Sequence, residues 1–342
     1  MASLRTEITE ITTGLGTLGF KSPGDAFDSE LPPPELHNVD EATWDRLRHS
    51  FADRDHQGEF LAAFNNGRAL LRSIDGLRGR RPVLVEWKGP HRDPADHPVP
   101  ADLRVDHVYL VSCKYLSKVL HNASPWALFD RCLAAGGPSR GGDWFAEVAP
   151  AQHQHHYDTV RRLVEGGEKL PQDVTALRAE DRRILAGERG VSSERTAIAY
   201  GELASTVAAA SAQRWGASLT TDTQKRTMLW RLLRLGAAPY FVLGTGAGEN
   251  LRLRVATPWD WNQAWDLLDF AVRAEAGGQP RVAWSAVVRP RGRGGGPGGC
   301  EEVLVAGHVE IRWSHGRLGG SPEAKVYLDT PHSAVPGYNK LE

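Results

Sequence analysis

The sequence predicts a protein of α/β and α+β class: an N-terminal mixed sheet flanked by helices, a helical connector, and a C-terminal, mostly antiparallel α+β domain. Three observations carry that expectation. Short β-branched runs, PVLVEWKG at 82–89 and HVYLVSCKY at 107–115, follow stretches of helical spacing over 41–50 and 58–72. Residues 158–235 are rich in Ala, Arg and Glu and almost free of strand pattern. Beyond Gly236 five further strand-like runs surround one helical stretch.

Taken in order, residues 1–40 end in the polar, Pro-rich SELPPPELHN and are expected to form an extended arm. A domain over 41–150 follows. Phe60, Leu61, Phe64, Leu70 and Leu71 give its second helix an apolar stripe, and 68–74 offers a further strand. The loop GPHRDPADHPVP separates the two main strands. A helix is expected over 125–135, with Asn122 and Ser124 as caps and Pro125 in the first turn, ending at GGPSRGG (136–142). The connector, 151–235, reads as three or four helices. Its last, TQKRTMLWRLLRLG, sets Met228, Leu229, Leu232, Leu233 and Leu235 against Arg231 and Arg234, and is both amphipathic and basic. The final domain, 236–342, contains the runs PYFVLG, NLRLRVAT, RVAWSAVV, EVLVAGHVEIRW and KVYLDT, a helix over 259–274, and a Gly-rich hairpin loop, RGRGGGPGGC.

Composition bounds the function. A chain of 342 residues has room for two or three domains. No apolar run approaches the roughly 18 residues that span a bilayer. The start, MASLRTEITEITTGLG, has neither a basic nor an apolar signal region, so a cytoplasmic protein without a membrane partner is expected. Cys113, Cys132 and Cys300 are few and far apart, which fits reduced thiols better than a disulfide framework or a Cys-based zinc site. The net charge of −1 gives no overall attraction for nucleic acid, so any such role rests on local patches. One patch holds Arg68, Arg72, Arg78, Arg80, Arg81, Lys88 and Arg92; a second holds Lys225, Arg226, Arg231, Arg234, Arg252 and Arg254.

Inside the first patch lie two acids, Asp75 and Glu86. Glu86 and Lys88 are two apart on one strand, and Ser112 and Lys114 are two apart on the next, so each pair projects to one face. Asp106 stands where the second strand begins. Carboxylates with a lysine on one face suit divalent-metal hydrolysis of a phosphodiester: hard oxygen ligands hold Mg²⁺, and the lysine positions water or stabilises developing charge.

This arrangement resembles the restriction-endonuclease-like, or PD-(D/E)XK, nuclease superfamily, whose core is a helix, a strand hairpin, a third strand and a helix. The resemblance covers about 41–135. Two registers match. In one, Asp75, Glu86 and Lys88 reproduce the aspartate and the acid-x-lysine letter by letter. In the other, favoured by strand order, Glu86 and Asp106 hold the metal and Lys114 positions water, with Asp75 and Lys88 in reserve. There Ser112 stands where an acid is expected. The resemblance implies an Mg²⁺- or Mn²⁺-dependent nuclease, acting on DNA rather than RNA, in restriction or phage defence, as a homodimer or beside a defence partner. Arg78, Arg80, Arg81, Arg231 and Arg234 would contact backbone phosphate. The alternative is an inert nucleic-acid-binding scaffold with the same fold, which Ser112 favours.

Other features are weaker. HQHHYD (His153, His155, His156) is expected in a solvated loop. Of Trp259, Trp261 and Trp265, some belong to the core and one or two to the surface. His308, Glu310 and Arg312 alternate with Val309, Ile311 and Trp313 along a strand with one polar face, and a third reading places an enzyme site there with His315.

Overall fold

The computed structural model describes residues 3–89, 101–134, 142–187, 194–236, 239–246, 250–275, 278–291, 301–314 and 316–342. The loops expected at 89–100 and 291–300, the turn at 136–142 and His315 lie wholly or almost wholly outside the described residues.

Helix α1 (Leu4–Leu18) stands where an extended arm was expected. Its many Thr and Ile residues lower helix propensity, which hides the helix from pattern reading. Ser3 caps it by accepting from the Thr6 amide, and Gly19, at φ 84°, ends it in the left-handed region. Thr9, Thr13 and Thr17 donate their hydroxyls to carbonyls four residues back, at 2.8, 2.7 and 2.9 Å. Ile8, Ile11 and Leu15 are fully buried, so tertiary packing supplies what propensity does not.

Next come α2 (Pro23–Phe27), β1 (Leu36–His37), α3 (Glu41–Ala52) and α4 (Gln57–Arg72). The last two match the expected helical spacing, although 68–72 completes α4 where a strand had been offered. Helices α1 and α4 meet at glycines. A Cβ on Gly16 would collide with the Phe64 carbonyl, and one on Gly67 with the Thr13 carbonyl. The two backbones are thus close enough for the Thr13 hydroxyl to reach the Ala63 carbonyl at 3.2 Å.

The chain continues through β2 (Val85–Trp87), β3 (Leu103–Val105), β4 (Tyr109–Tyr115) and β5 (Val119–Ala123). A π-helical turn, Trp126–Asp130, stands where a full helix was expected. Then follow α5 (Trp144–Val148), α6 (Pro150–Arg161), α7 (Ala179–Gly187), α8 (Glu194–Ala217) and α9 (Asp222–Leu232); α6 to α9 lie where three or four helices were expected, and α5 precedes that stretch. The remainder is β6 (Tyr240–Thr245), β7 (Asn250–Val255), α10 (Pro258–Ala264), β8 (Trp265–Glu275), β9 (Arg281–Pro290), β10 (Val303–Trp313), β11 (Pro322–Leu328) and β12 (Tyr338–Lys340). Helix α10 stops ten residues short of the expected 259–274: Trp265 turns extended at ψ 150° and a strand takes over.

The result is a mixed α/β protein with two sheets, in two compact units that are discontinuous in sequence. The first unit is Met1–Lys118, Arg234–Trp265 and Pro331–Glu342. Its seven-stranded sheet has the order β1-β2-β3-β4-β6-β7-β12. The pairs β1/β2 and β4/β6 are parallel and the others antiparallel. Strands β6 and β7, expected in the C-terminal sheet, belong here. A parallel pair needs a long crossover, and everything between β4 and β6 serves as one. One sheet face, with Val85, Trp87, Leu103, Val105, Val111, Phe241 and Leu243, is buried in a single core with Ile11 and Leu15 of α1 and Phe60 and Phe64 of α4.

The second unit is Val119–Leu233 and Asp266–Thr330, around the sheet β5-β11-β10-β9-β8. The pairs β5/β11, β11/β10 and β10/β9 are antiparallel. Aromatic rings fill its core: Phe145 lies 4.4 Å from Trp313, and Trp126 meets Trp144 edge-on at 4.8 Å. Arg214 lies over both Trp126 and Trp144 while binding Asp130 and Glu147.

Candidate active site

Strand alternation and register fix what the other face of the seven-stranded sheet carries. Glu86 pairs with Arg104, the Lys88 amide donates to the Asp102 carbonyl at 2.9 Å, and the Asp102 amide donates to the Val111 carbonyl at 2.8 Å. Residues paired across a ladder share a face. Glu86, Lys88, Asp102, Arg104, Ser112 and Lys114 therefore lie on one face of β2, β3 and β4, opposite α1 and α4.

Each member of this group is held by chemistry. Arg104 grips Glu86 with two hydrogen bonds, 2.6 and 2.8 Å, and holds its carboxyl below the usual carboxylate range. Lys88 Nζ lies 3.9 Å from the same carboxylate, and His107 Nδ1 lies 3.4 Å away. Asp102 immediately precedes β3. Its carboxylate accepts from the Cys113 amide at 2.7 Å and from the Ser112 hydroxyl at 3.3 Å, which ties the start of β3 to the end of β4.

Lys114 is half-buried, and its amine is pulled down to about 8. Burial is the main cause and nearby Arg234 adds to it, while Asp102 and Glu10 act in the opposite sense. Glu10, on α1, is 6% exposed and accepts from the Trp87 indole N–H at 2.6 Å. Burial, then Asp102 and Glu10, push the Cys113 thiol up. Two carboxylates, one from α1 and one from the start of β3, thus act on the end of β4.

The expected site residues fall into separate places. Glu86, Lys88 and Lys114 share the polar face. Asp106 does not open the strand; it sits in the β3–β4 turn at φ 48°. There it accepts from the Val83 and Leu84 amides at 2.8 and 3.1 Å and from Arg80 at 2.7 Å. Asp75 lies in the turn after α4, 3.5 Å from Arg254. Arg78 donates to the Ile74 carbonyl at 2.8 Å, and Arg81 to the Gly19 carbonyl at 3.5 Å. Arg234 lies 5.7 Å from the Tyr240 ring in the first unit; Arg231, in the second, donates to the Cys132 carbonyl at 2.9 Å. Sequence reasoning missed Asp102, Arg104 and Glu10. Asp102 was visible only through register, as the residue opposite Ser112.

Among the described residues no group of three or more His, Cys, Asp and Glu side chains gathers as a metal cage. Mg²⁺ commonly takes only one or two carboxylates, with water and substrate phosphate completing its shell. Asp102 is one such carboxylate, and it accepts from the Ser112 hydroxyl and the Cys113 amide.

Elsewhere, His153 and His156 lie on α6 and are fully buried, contrary to the solvated loop expected, whereas His155 is exposed. Trp261 is buried and Trp259 is 68% exposed. His308 stacks on Tyr327 and meets both Asp329 oxygens at 2.9 Å. No helix among the described residues is long and apolar enough to cross a membrane. Comparison of the chain with protein-family models, with curated proteins and with solved structures finds no match.

Proposed function

We propose that the chain is a divalent-metal-dependent nuclease, acting on DNA in preference to RNA, with its site at the end of β4. The observation that carries this reading is Lys114: a half-buried lysine with a depressed pKa, on the same sheet face as Asp102. The order helix α4, strands β2 and β3, third strand β4 supports it, because it is the opening of the nuclease core that the sequence resembles. In this reading Asp102 takes the place first given to Asp106.

Asp102 and the Ser112 hydroxyl would hold Mg²⁺ or Mn²⁺, and a cation bound there supplies charge for the phosphate and an acidified water. Lys114 does the chain's own work. With a pKa of about 8 it exchanges a proton near neutral pH, so it can orient the attacking water and take its proton. Arg104 keeps Glu86 ionised beside the site. Ser112, a hydroxyl where an acid is expected, favours the second reading, an inert nucleic-acid-binding scaffold.

The test is cleavage of supercoiled plasmid, single-stranded DNA and RNA, with EDTA, Mg²⁺ or Mn²⁺. Metal-dependent cleavage should fall by about 10²-fold or more in Lys114→Ala and Asp102→Asn. No cleavage of any substrate by folded wild-type protein would favour the scaffold.

A further inference from the structure

The second unit carries a cationic cleft that the nuclease reading does not use. It encloses about 430 Å³, within the usual range for small-molecule sites. Arg182 and Arg183 of α7 form one wall, and Ser314 and Ser321, at the two ends of the β10–β11 loop, form the other. The Ser314 amide donates to the Ser321 carbonyl at 3.1 Å, which closes the neck of that loop and sets the two serines opposite each other.

Arg182 ties the loop to α7. Its guanidinium donates to the Leu318 and Gly320 carbonyls at 3.2 and 3.5 Å and lies 3.6 Å from the Asp143 carboxylate. These three contacts leave N–H donors over, and they hold the group in place, so little side-chain freedom is lost when an anion binds. Asp143 offsets part of its charge. Arg183 is exposed and has no ion pair among the described residues, so its charge is whole. Among the described residues that line the cleft there is no acid, and Ala179 has the only apolar side chain.

Two guanidinium groups and two hydroxyls are donors for the oxygens of an anion, and nothing in this lining would hold a base or an acyl chain. A phosphate monoester brings three acceptor oxygens on one phosphorus and a charge of about −1.5 to −2. A diester in a nucleic-acid backbone brings two free oxygens and a single charge. Four donors and two cations gathered in one cleft match the first.

We propose that this cleft binds a phosphate monoester, with Arg182 as the fixed anchor, Arg183 as the second cation and the Ser314 and Ser321 hydroxyls completing the shell. The cleft lies within one unit and owes nothing to the nuclease reading, so either can fail alone.

The experiment is calorimetric titration of the full chain at neutral pH with methyl phosphate, dimethyl phosphate and inorganic phosphate, for wild type, Arg183→Ala, Arg183→Lys and Ser321→Ala. Methyl phosphate should bind saturably to wild type and about tenfold or more weakly to Arg183→Ala. Arg183→Lys should restore part of that loss, since the charge returns without the fork. Ser321→Ala should weaken binding severalfold, and dimethyl phosphate should bind about tenfold more weakly than methyl phosphate. In ¹⁵N-labelled protein the amide resonances of Gly319, Gly320 and Ser321 should move with the same saturation.

No saturable binding of methyl phosphate, or wild-type affinity in both Arg183→Ala and Ser321→Ala, would overturn the site. Dimethyl phosphate bound as tightly as methyl phosphate would overturn the monoester claim and assign the cleft to a phosphodiester backbone. Tighter binding of inorganic phosphate than of methyl phosphate would assign it to free phosphate. Displacement of methyl phosphate by an oligonucleotide with a terminal phosphate, but not by its unphosphorylated counterpart, would support the site with a nucleic-acid end as its source. Displacement by neither would support it with a small phosphorylated molecule as its source. Arg183 is exposed, so its variants decide the matter without disturbing the fold.

Discussion

The two faces of the seven-stranded sheet are built on opposite principles. The face toward α1 and α4 carries Val85, Trp87, Leu103, Val105, Val111, Phe241 and Leu243, and its energy comes from apolar area removed from water. The other face of β2, β3 and β4 carries Glu86, Lys88, Asp102, Arg104, Ser112 and Lys114. Its members are stable only as partners of one another, and so only at suitable pH. The first face makes the strands; the second is free to do chemistry because the first needs no help from it.

The largest effect should come from breaking the apolar face at its tightest point. Gly67→Val drives a branched side chain into the Thr13 carbonyl of α1, which cannot retreat without opening the core. A loss of at least ~4 kcal/mol is expected, enough to leave little folded protein. Urea denaturation of soluble material checks this. A wild-type midpoint would mean that the helices do not cross as closely as described.

Next in size is the Glu86–Arg104 pair. Arg104→Met leaves a mostly buried carboxylate without its two-bond partner, with Lys88 and His107 still near it, and should cost about 2 kcal/mol, below the range for fully buried pairs because Arg104 is partly solvated. Adding Glu86→Gln should recover much of that loss, since the stranded charge is gone. Urea midpoints of the two single variants and the double variant close the cycle. If the double variant is as unstable as the sum of the singles, the pair is not coupled.

Lys114 makes the same face pH-dependent, and the sign can be worked out. Its amine titrates near 8 in the fold and near 10.4 in the unfolded chain, so between those values the unfolded chain holds more protons. Stability from this group is therefore absent below pH 8 and rises toward pH 10, by at most ~3 kcal/mol. The buried Tyr240 and Tyr338 and the half-buried Cys113 have raised pKa values and act oppositely in alkali. The informative quantity is thus the difference between wild type and Lys114→Met, measured as urea midpoints from pH 7 to 10. A difference that stays constant with pH would show that the amine is not desolvated.

How much of this contrast could be read from the chain alone follows from the length of its elements. Strands β2 and β4, helices α3 and α4 and the common face within each of the pairs Glu86/Lys88 and Ser112/Lys114 follow from local spacing, because period 2 and period 3.6 are local properties. Asp102 escaped because β3 has only three residues, and its partnership with β4 is a matter of register. Glu10 escaped because α1 is rich in β-branched Thr and Ile and its helicity comes from tertiary burial. Strands β6 and β7 were legible as strands but not as neighbours of β4, since more than a hundred residues intervene and only the folded chain pairs them.

The smallest effect separates the two aspartates that compete for one role. Asp106 looks like a site residue in sequence, but its carboxylate is spent on the Val83 and Leu84 amides and on Arg80, all within the polar end of the β3–β4 turn. Asp106→Ala removes an acceptor from the exposed Val83 and Arg80, which water can reach, and from the amide of buried Leu84, so a loss of about 1 kcal/mol is expected. Cleavage, if the protein cuts, should stay within about twofold of wild type at a temperature where both are folded, whereas Asp102→Asn abolishes it. Cleavage lost in Asp106→Ala and kept in Asp102→Asn would reverse the assignment. It would mean that substrate binding draws Asp106 off its turn, and the polar face would then be a scaffold for the site rather than the site itself.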